Sequence, residues 1–253
     1  MSIKCVLFDL DGTLLDTSYD FAHALKLTCE DYQQPILNYQ DMRSTVSIGG
    51  LAMTQLAFPA LQGEDLEERR QVFLKHYLEN INHHTQIFPG LVAGLDALAA
   101  KNIPWGIVTN KPMHLTEELL KGFSFKSNPK TIVCGDTLAV RKPSPAPMFL
   151  AADQCGVAAS DCIYIGDHPR DIEAGMNAKM KTATTTKPIH CQWLTYQSQK
   201  DISIEDVVKS FHMNPNEAEF LKAIHYKSLR IGVAVAIIDE LIESVSFIDD
   251  SEL

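Results

Sequence analysis

Short apolar runs rich in β-branched residues recur at Ile3–Phe8, Trp105–Val108, Thr131–Cys134, Cys162–Ile165 and Thr182–Thr186. Each has the length of a strand buried on both faces, and stretches with apolar residues at helical spacing lie between most of them. Strands alternating with helices predict an α/β fold, a Rossmann-like parallel sheet core covered on both sides. One interval breaks the rhythm. Between the first run and the second lie roughly 90 residues that read almost entirely as helix: Phe21, Ala24, Leu25, Cys29 and Tyr32 share one face, as do Leu66, Phe73, Leu74, Tyr77, Leu78 and Ile81. An inserted α-helical cap domain is therefore expected over residues 17–86, with the core formed by 1–16 and 87–211. Phe88-Pro89-Gly90 marks the return, before another amphipathic pattern over Leu91–Ala100. The two crossings should act as hinges.

After the fifth run, residues 187–200 show no clear period and Ile202–Phe211 reads as a short closing element. Asn214-Pro215-Asn216 then looks like a helix start, and 212–253 reads as a helical C-terminal extension with two helices. Its exposed face is acidic. Ile231, Val233, Val235, Ile237, Ile238, Leu241, Ile242 and Val245 are too many apolar groups to leave in water, so the extension should pack on the core or on a second copy, making a homo-oligomer. The longest uninterrupted apolar run, Ile231–Ile238, is far shorter than the roughly 20 residues of a spanning helix, and no membrane association is expected.

Charge narrows the function. Across 253 residues, 22 Lys and Arg face 32 Asp and Glu, a formal −10, which offers no general attraction to nucleic acid or anionic lipid. An anionic substrate would need a few local cations. The N-terminus enters a strand pattern within three residues, without the features of a signal peptide, so the expected location is cytoplasmic. Six cysteines without a C-x-x-C pair read as structural thiols.

The candidate chemistry sits just after the strands. Phe8-Asp9-Leu10-Asp11-Gly12-Thr13 follows the first run, where open α/β sheets bind ligands, and alternation sends Asp9 and Asp11 to one side. Two carboxylates there repel unless a cation or a shared proton relieves them, and a hard ion such as Mg²⁺ suits oxygen ligands. Gly166-Asp167-His168-Pro169-Arg170-Asp171 brings two more carboxylates to the same edge, although Asp167 alone could simply cap a helix. Thr109-Asn110-Lys111 follows the second run and could cradle phosphate oxygens through a hydroxyl and backbone N–H groups. Lys142, in Arg141-Lys142-Pro143-Ser144-Pro145, stands just before a helix whose start the prolines fix.

Taken together and in this order, D-x-D-G-T, strand-T-N, K-P and G-D-x-x-x-D over residues 3 to 210 resemble the haloacid dehalogenase-like phosphatase superfamily. The position of the insert resembles the subgroup with a small helical cap, which includes phosphoglycolate phosphatases and β-phosphoglucomutases. The resemblance implies Asp9 as the nucleophile that forms an aspartyl phosphate, and Asp11 as general acid and then general base. It implies Mg²⁺ held by Asp9, the Asp11 carbonyl and Asp167, steadied by Asp171. Gly12, Thr109, the Asn110 N–H and Lys142 would bind the phosphoryl group. Asp11 also favours phosphoester chemistry, because the true dehalogenases and the phosphonate-cleaving branch lack a carboxylate there.

Selectivity should then lie with the cap. In Arg43–Met53, Gly49-Gly50 could let backbone approach a ligand or could simply turn between helices, and Arg43 is the candidate partner for a substrate carboxylate. S-I-G-G-L-A-M, W-G-I-V-T-N-K-P and G-D-H-P-R-D-I-E-A-G are similar to N-acetylmuramic acid 6-phosphate phosphatases of cell-wall recycling. The whole resembles phosphoglycolate phosphatases. The leading expectation is a Mg²⁺-dependent phosphatase acting on a small phosphorylated metabolite of the phosphoglycolate type. The alternatives are the N-acetylmuramic acid 6-phosphate activity, a sugar phosphomutase, and a catalytically idle interaction protein.

Overall fold

A computed structural model describes residues 3–184 apart from Pro89. The expected closing element and the helical extension over 212–253 lie outside the described residues, as does the end of the fifth expected strand. The chain enters through strand β1 (Cys5–Phe8) and a two-residue strand β2 (Leu15–Asp16). Four helices follow: α1 (Ser18–Asp31), α2 (Tyr39–Thr45), α3 (Gly50–Ala57) and α4 (Gly63–Glu79), with a 3-10 turn at Val46–Ile48 between α2 and α3. The chain returns through β3 (Gln86–Ile87). It then alternates: α5 (Leu91–Ala100), β4 (Trp105–Val108), α6 (Met113–Leu120), β5 (Thr131–Val133), α7 (Ala146–Cys155), β6 (Cys162–Gly166), α8 (Pro169–Asn177) and β7 (Lys181–Thr184). Among the described residues no helix is long and apolar enough to cross a membrane.

The main sheet runs β5-β4-β1-β6-β7 with every pair parallel, so the expected α/β class and parallel core are observed. Alternation along the strands supplies two cores. Val6, Phe8, Trp105, Ile107, Ile163 and Ile165 pack on one face with Leu95, Leu98 and Leu119. Cys5, Leu7, Val108, Cys162 and Tyr164 face Met148, Ala151 and Ala174 on the other. Cys5, Cys134 and Cys162 are buried and unpaired, acting as small hydrophobes.

The helical insert has a core of its own, in which Phe21, Leu25 and Cys29 of α1 meet Met42, Met53, Phe73 and Tyr77, joined by Leu115 of α6. The α1 face agrees with the helical spacing. On α4 only part of it does: Leu66, Phe73 and Tyr77 are buried, whereas Leu78, one position past Tyr77, turns outward. Where the sequence suggests plain hinges, a small ribbon is found. Leu15 pairs with Ile87 and Asp16 with Gln86, antiparallel. Beside it the buried Asp20 carboxylate accepts the His84 N–H at 2.8 Å, the Thr85 N–H at 3.1 Å and the Thr85 hydroxyl at 2.6 Å. The outgoing and returning strands are thus knotted together.

Candidate active site

β1 lies at the centre of the sheet, with β4 on one side and β6 on the other, which makes its carboxyl end the point where the winding reverses. Helices that leave neighbouring strands in opposite directions open a crevice there. Asp9 and Asp11 follow β1, Thr109 to Lys111 follow β4, and Asp167 and Asp171 follow β6. Asp9, Asp167 and Asp171 are all buried, and oxygens of the three lie within 4.8 Å of one another. The Lys142 ammonium, almost wholly buried, reaches Asp9 Oδ1 at 2.9 Å and Asp171 Oδ1 at 2.7 Å. It also donates to the Val108 carbonyl at 2.9 Å and the Tyr164 hydroxyl at 2.7 Å.

Local chemistry explains these placements. His168, not Asp167, caps α8: its ring nitrogen accepts the Arg170 N–H, and its own N–H donates to Asp171 Oδ2 at 2.9 Å. Asp171 is thereby fixed and Asp167 is left free of the helix terminus. Asn110 clamps the Lys142 backbone from both sides, its amide donating to the Lys142 carbonyl at 3.0 Å and accepting the Lys142 N–H at 3.1 Å. Its side chain is spent on holding the lysine in place. Gly12 sits at φ 85°, and a Cβ there would collide with Asp167 Oδ2 and come within 2.9 Å of Ser47 Oγ, so glycine is required twice over.

One lysine does not neutralise three carboxylates. Burial, and after it the charge of Asp9, push the Asp167 carboxyl up to about 7, and burial raises Asp171 as well. Asp167 Oδ1 is buried without a hydrogen-bond partner. An all-oxygen, over-acidic cluster with an orphaned buried oxygen fits a hard divalent cation.

Of the three expected cap residues, Arg43 is already paired, and Gly49-Gly50 makes the turn that its sequence also allowed. The Arg43 guanidinium, expected to await a substrate carboxylate, already forks onto Asp16 of the hinge ribbon at 2.9 and 3.2 Å, and it also bonds Ser18 and the Tyr39 hydroxyl. Both terminal nitrogens of the guanidinium are thus engaged within the protein. Gly49, at φ 112°, has open space around its missing Cβ, so the backbone angle is what requires the glycine among the described residues. Gly50 opens α3, where a Cβ would press on Leu74 at 3.2 Å. The pair turns between helices.

Several site residues are not singled out by sequence. Ser47 of the insert bonds the Asp167 carboxylate, and the Arg170 guanidinium donates to the Ser47 and Ile48 carbonyls, so the insert is seated on the α8 end of the site. Tyr164 reads as a core residue of β6 until its hydroxyl is followed to the Val108 carbonyl at 2.7 Å. Gly135 packs against the Asn110 carbonyl with no room for a Cβ. Lys111, noticed only as the end of a tripeptide, is buried against Asp11.

Buried carboxylates clustered as if for a cation, beside a buried ammonium at the switch point of a doubly wound sheet, suit an enzyme that handles phosphoryl groups. Comparison with known proteins gives the same class and sharpens it. Residues 6–185 match the model of the haloacid dehalogenase-like hydrolase family, to which this chain belongs. It is 39% identical over 177 residues to a phosphoglycolate phosphatase of Xanthomonas campestris, covering 70% of this chain and 80% of that protein. It is 37% identical over 184 residues to an N-acetylmuramic acid 6-phosphate phosphatase of Pseudomonas aeruginosa, covering 72% and 81%. The solved structure of a hydrolase from Pseudomonas syringae superposes with a TM-score of 0.55 at 26% identity, over 71% of this chain and 82% of that one. The protein is a phosphatase of this family, whose members generally use Mg²⁺.

Proposed function

We propose that residues 17–86 form a cap over a Mg²⁺-dependent site that hydrolyses a small phosphorylated acid of the phosphoglycolate type. The observation that carries this reading is the buried convergence of Asp9, Asp167 and Asp171 around Lys142. Asp9, Asp167 and the Asp11 carbonyl would hold Mg²⁺ while Asp171 steadies them. When bound, the ion neutralises charge on the nucleophile and on the phosphoryl oxygens.

Asp9 attacks phosphorus, an O–P bond forms, and the ester P–O bond breaks as the leaving oxygen takes a proton from Asp11. Water then attacks the aspartyl phosphate, gives its proton back to Asp11, and releases phosphate and free Asp9. Thr109, Gly12, the Asn110 N–H and Lys142 cradle the phosphoryl oxygens. Lys142 is the local cation an acidic protein needs for an anionic substrate.

The test is phosphate release from 2-phosphoglycolate, N-acetylmuramic acid 6-phosphate and p-nitrophenyl phosphate, with Mg²⁺ and with EDTA. The expected result is Mg²⁺-dependent turnover with kcat/KM highest for 2-phosphoglycolate. The likeness to the Pseudomonas aeruginosa enzyme supports the second acid as the runner-up, and a preference for it would move the substrate assignment. EDTA-resistant turnover would refute the metal.

Stability supplies an independent check. Asp167 ionises near 3.8 in an unfolded chain and near 7 in the metal-free fold. Between those values the fold holds a proton that the unfolded chain has lost, so stability falls as pH rises through the window and levels off above it. A cation held by ionised carboxylates has the opposite trend. Mg²⁺ at about 100 times its Kd should stabilise by about 2.7 kcal/mol, a Tm increase of roughly 5–10 °C. We expect that increase at pH 8 and a clearly smaller one at pH 5.5, with the difference flattened in Asp167→Asn. Thermal unfolding at both pH values measures it, and equal shifts in the native protein would remove Asp167 from the metal set.

A further inference from the structure

Among the described residues, Lys111 is the one buried cation of the site to which the proposed chemistry gives no task. Its ammonium lies 3.0 and 3.3 Å from the two oxygens of the Asp11 carboxylate, an ion pair whose members come from the ends of β1 and β4. Its other hydrogen bond and its aromatic contacts belong to the helical insert. It donates to the Tyr77 hydroxyl at 2.9 Å, and its nitrogen lies 4.4 Å from the Tyr77 ring centroid and 4.6 Å from that of Phe21. The two rings stack at 4.0 Å, nearly parallel, one from α1 and one from α4. A lysine so far from water gives up hydration that these aromatic faces and one hydroxyl must replace.

We propose that Lys111 is a positioning residue that fixes the Asp11 carboxyl for proton transfer, and that Phe21 and Tyr77 of the insert hold Lys111 in place to do so. This rests on the assignment of Asp11 as the general acid. Touching both carboxylate oxygens, the ammonium sets the rotation of the group, which decides whether a proton points at the leaving oxygen. An ammonium only donates, so it orients the acid without accepting the proton that must be passed on. Because half of its cage comes from the insert, Asp11 is fully oriented only while the insert is seated on the core. Seating of the insert and readiness of the acid are then one event.

Leaving groups separate this role from a merely structural one. The kcat/KM of a reaction through an aspartyl phosphate reports the first transfer, in which an alkoxide needs a proton and p-nitrophenolate does not. Lys111→Met should lower kcat/KM about 100-fold on the alkyl ester the native protein uses, 2-phosphoglycolate or N-acetylmuramic acid 6-phosphate, and tenfold or less on p-nitrophenyl phosphate. The loss should sit in kcat, with KM within about threefold. Tyr77→Phe removes one hydroxyl and keeps both rings, and should show the same selectivity at about 3- to 10-fold; it decides the matter if Lys111→Met does not fold. Equal losses on both ester types, or a loss carried by KM, would overturn the proposal. Asp11→Asn is measured alongside. If it discriminates between ester types and the Lys111 and Tyr77 variants do not, the positioning role fails alone; if it does not discriminate, the acid assignment fails and takes this inference with it.

Discussion

Asp9→Asn should abolish turnover, with kcat reduced by at least about 10⁴-fold, equivalent to about 5.5 kcal/mol of barrier. The substitution keeps shape and hydrogen-bonding capacity, removes the nucleophile, and leaves the buried cluster less acidic, so the fold should survive with unchanged far-ultraviolet circular dichroism. Acid quench after mixing with substrate should trap phosphoprotein in the native chain and none in the variant. Turnover within tenfold of native would exclude a covalent route through Asp9.

Lys142→Met should fail in a different way. Lys142 is the buried ammonium between Asp9 and Asp171, at 2.9 and 2.7 Å, and its removal leaves two carboxylates in low dielectric without a counter-charge. Breaking a buried pair from one side costs about 3–5 kcal/mol, or roughly 6–20 °C of Tm in a domain of this size. Activity should fall about 10³-fold in parallel, since the same group offsets phosphoryl charge. Excess Mg²⁺ should restore part of the Tm, because a cation in the same cluster relieves the same repulsion, but little of the rate. Unchanged stability without metal would mean that the carboxylates have taken up protons instead.

What could be read from the sequence, and what could not, follows from the range of the forces involved. The strands at Trp105–Val108 and Cys162–Gly166, and the helix over Leu91–Ala100, are local patterns that tertiary contacts only confirm. Asp9, Asp167 and Asp171 could be placed because strand ends fix them, and Lys142 because prolines set the helix start just after it, so knowing the fold class nearly fixes the site. Arg43 could not be placed. Its partner Asp16 is 27 residues away across the hinge, and nothing in R-S-T-V-S distinguishes a guanidinium waiting for substrate from one already paired. Lys111 and Tyr164 were hidden for a related reason: each looks like part of a strand or its exit until its polar end is traced to Asp11 or to the Val108 carbonyl. The two-residue ribbon β2–β3 is too short to give any period.

That ribbon, with the Asp20 knot beside it, also bears on how the chain finds its fold. Val6 and Trp105 are neighbours in the central sheet yet 99 positions apart, a contact that is slow to form in an open chain. Once Leu15 meets Ile87 and Asp20 collects His84 and Thr85, the intervening helices are tied off as a closed loop with their own apolar core. The chain still free between Val6 and Trp105 then shrinks to about 30 residues, and the closure entropy falls by about 1 kcal/mol. A knot that ties the insert to the core thus also shortens the search that builds the fold, and favours an order of events in which the insert forms before the centre of the sheet can close.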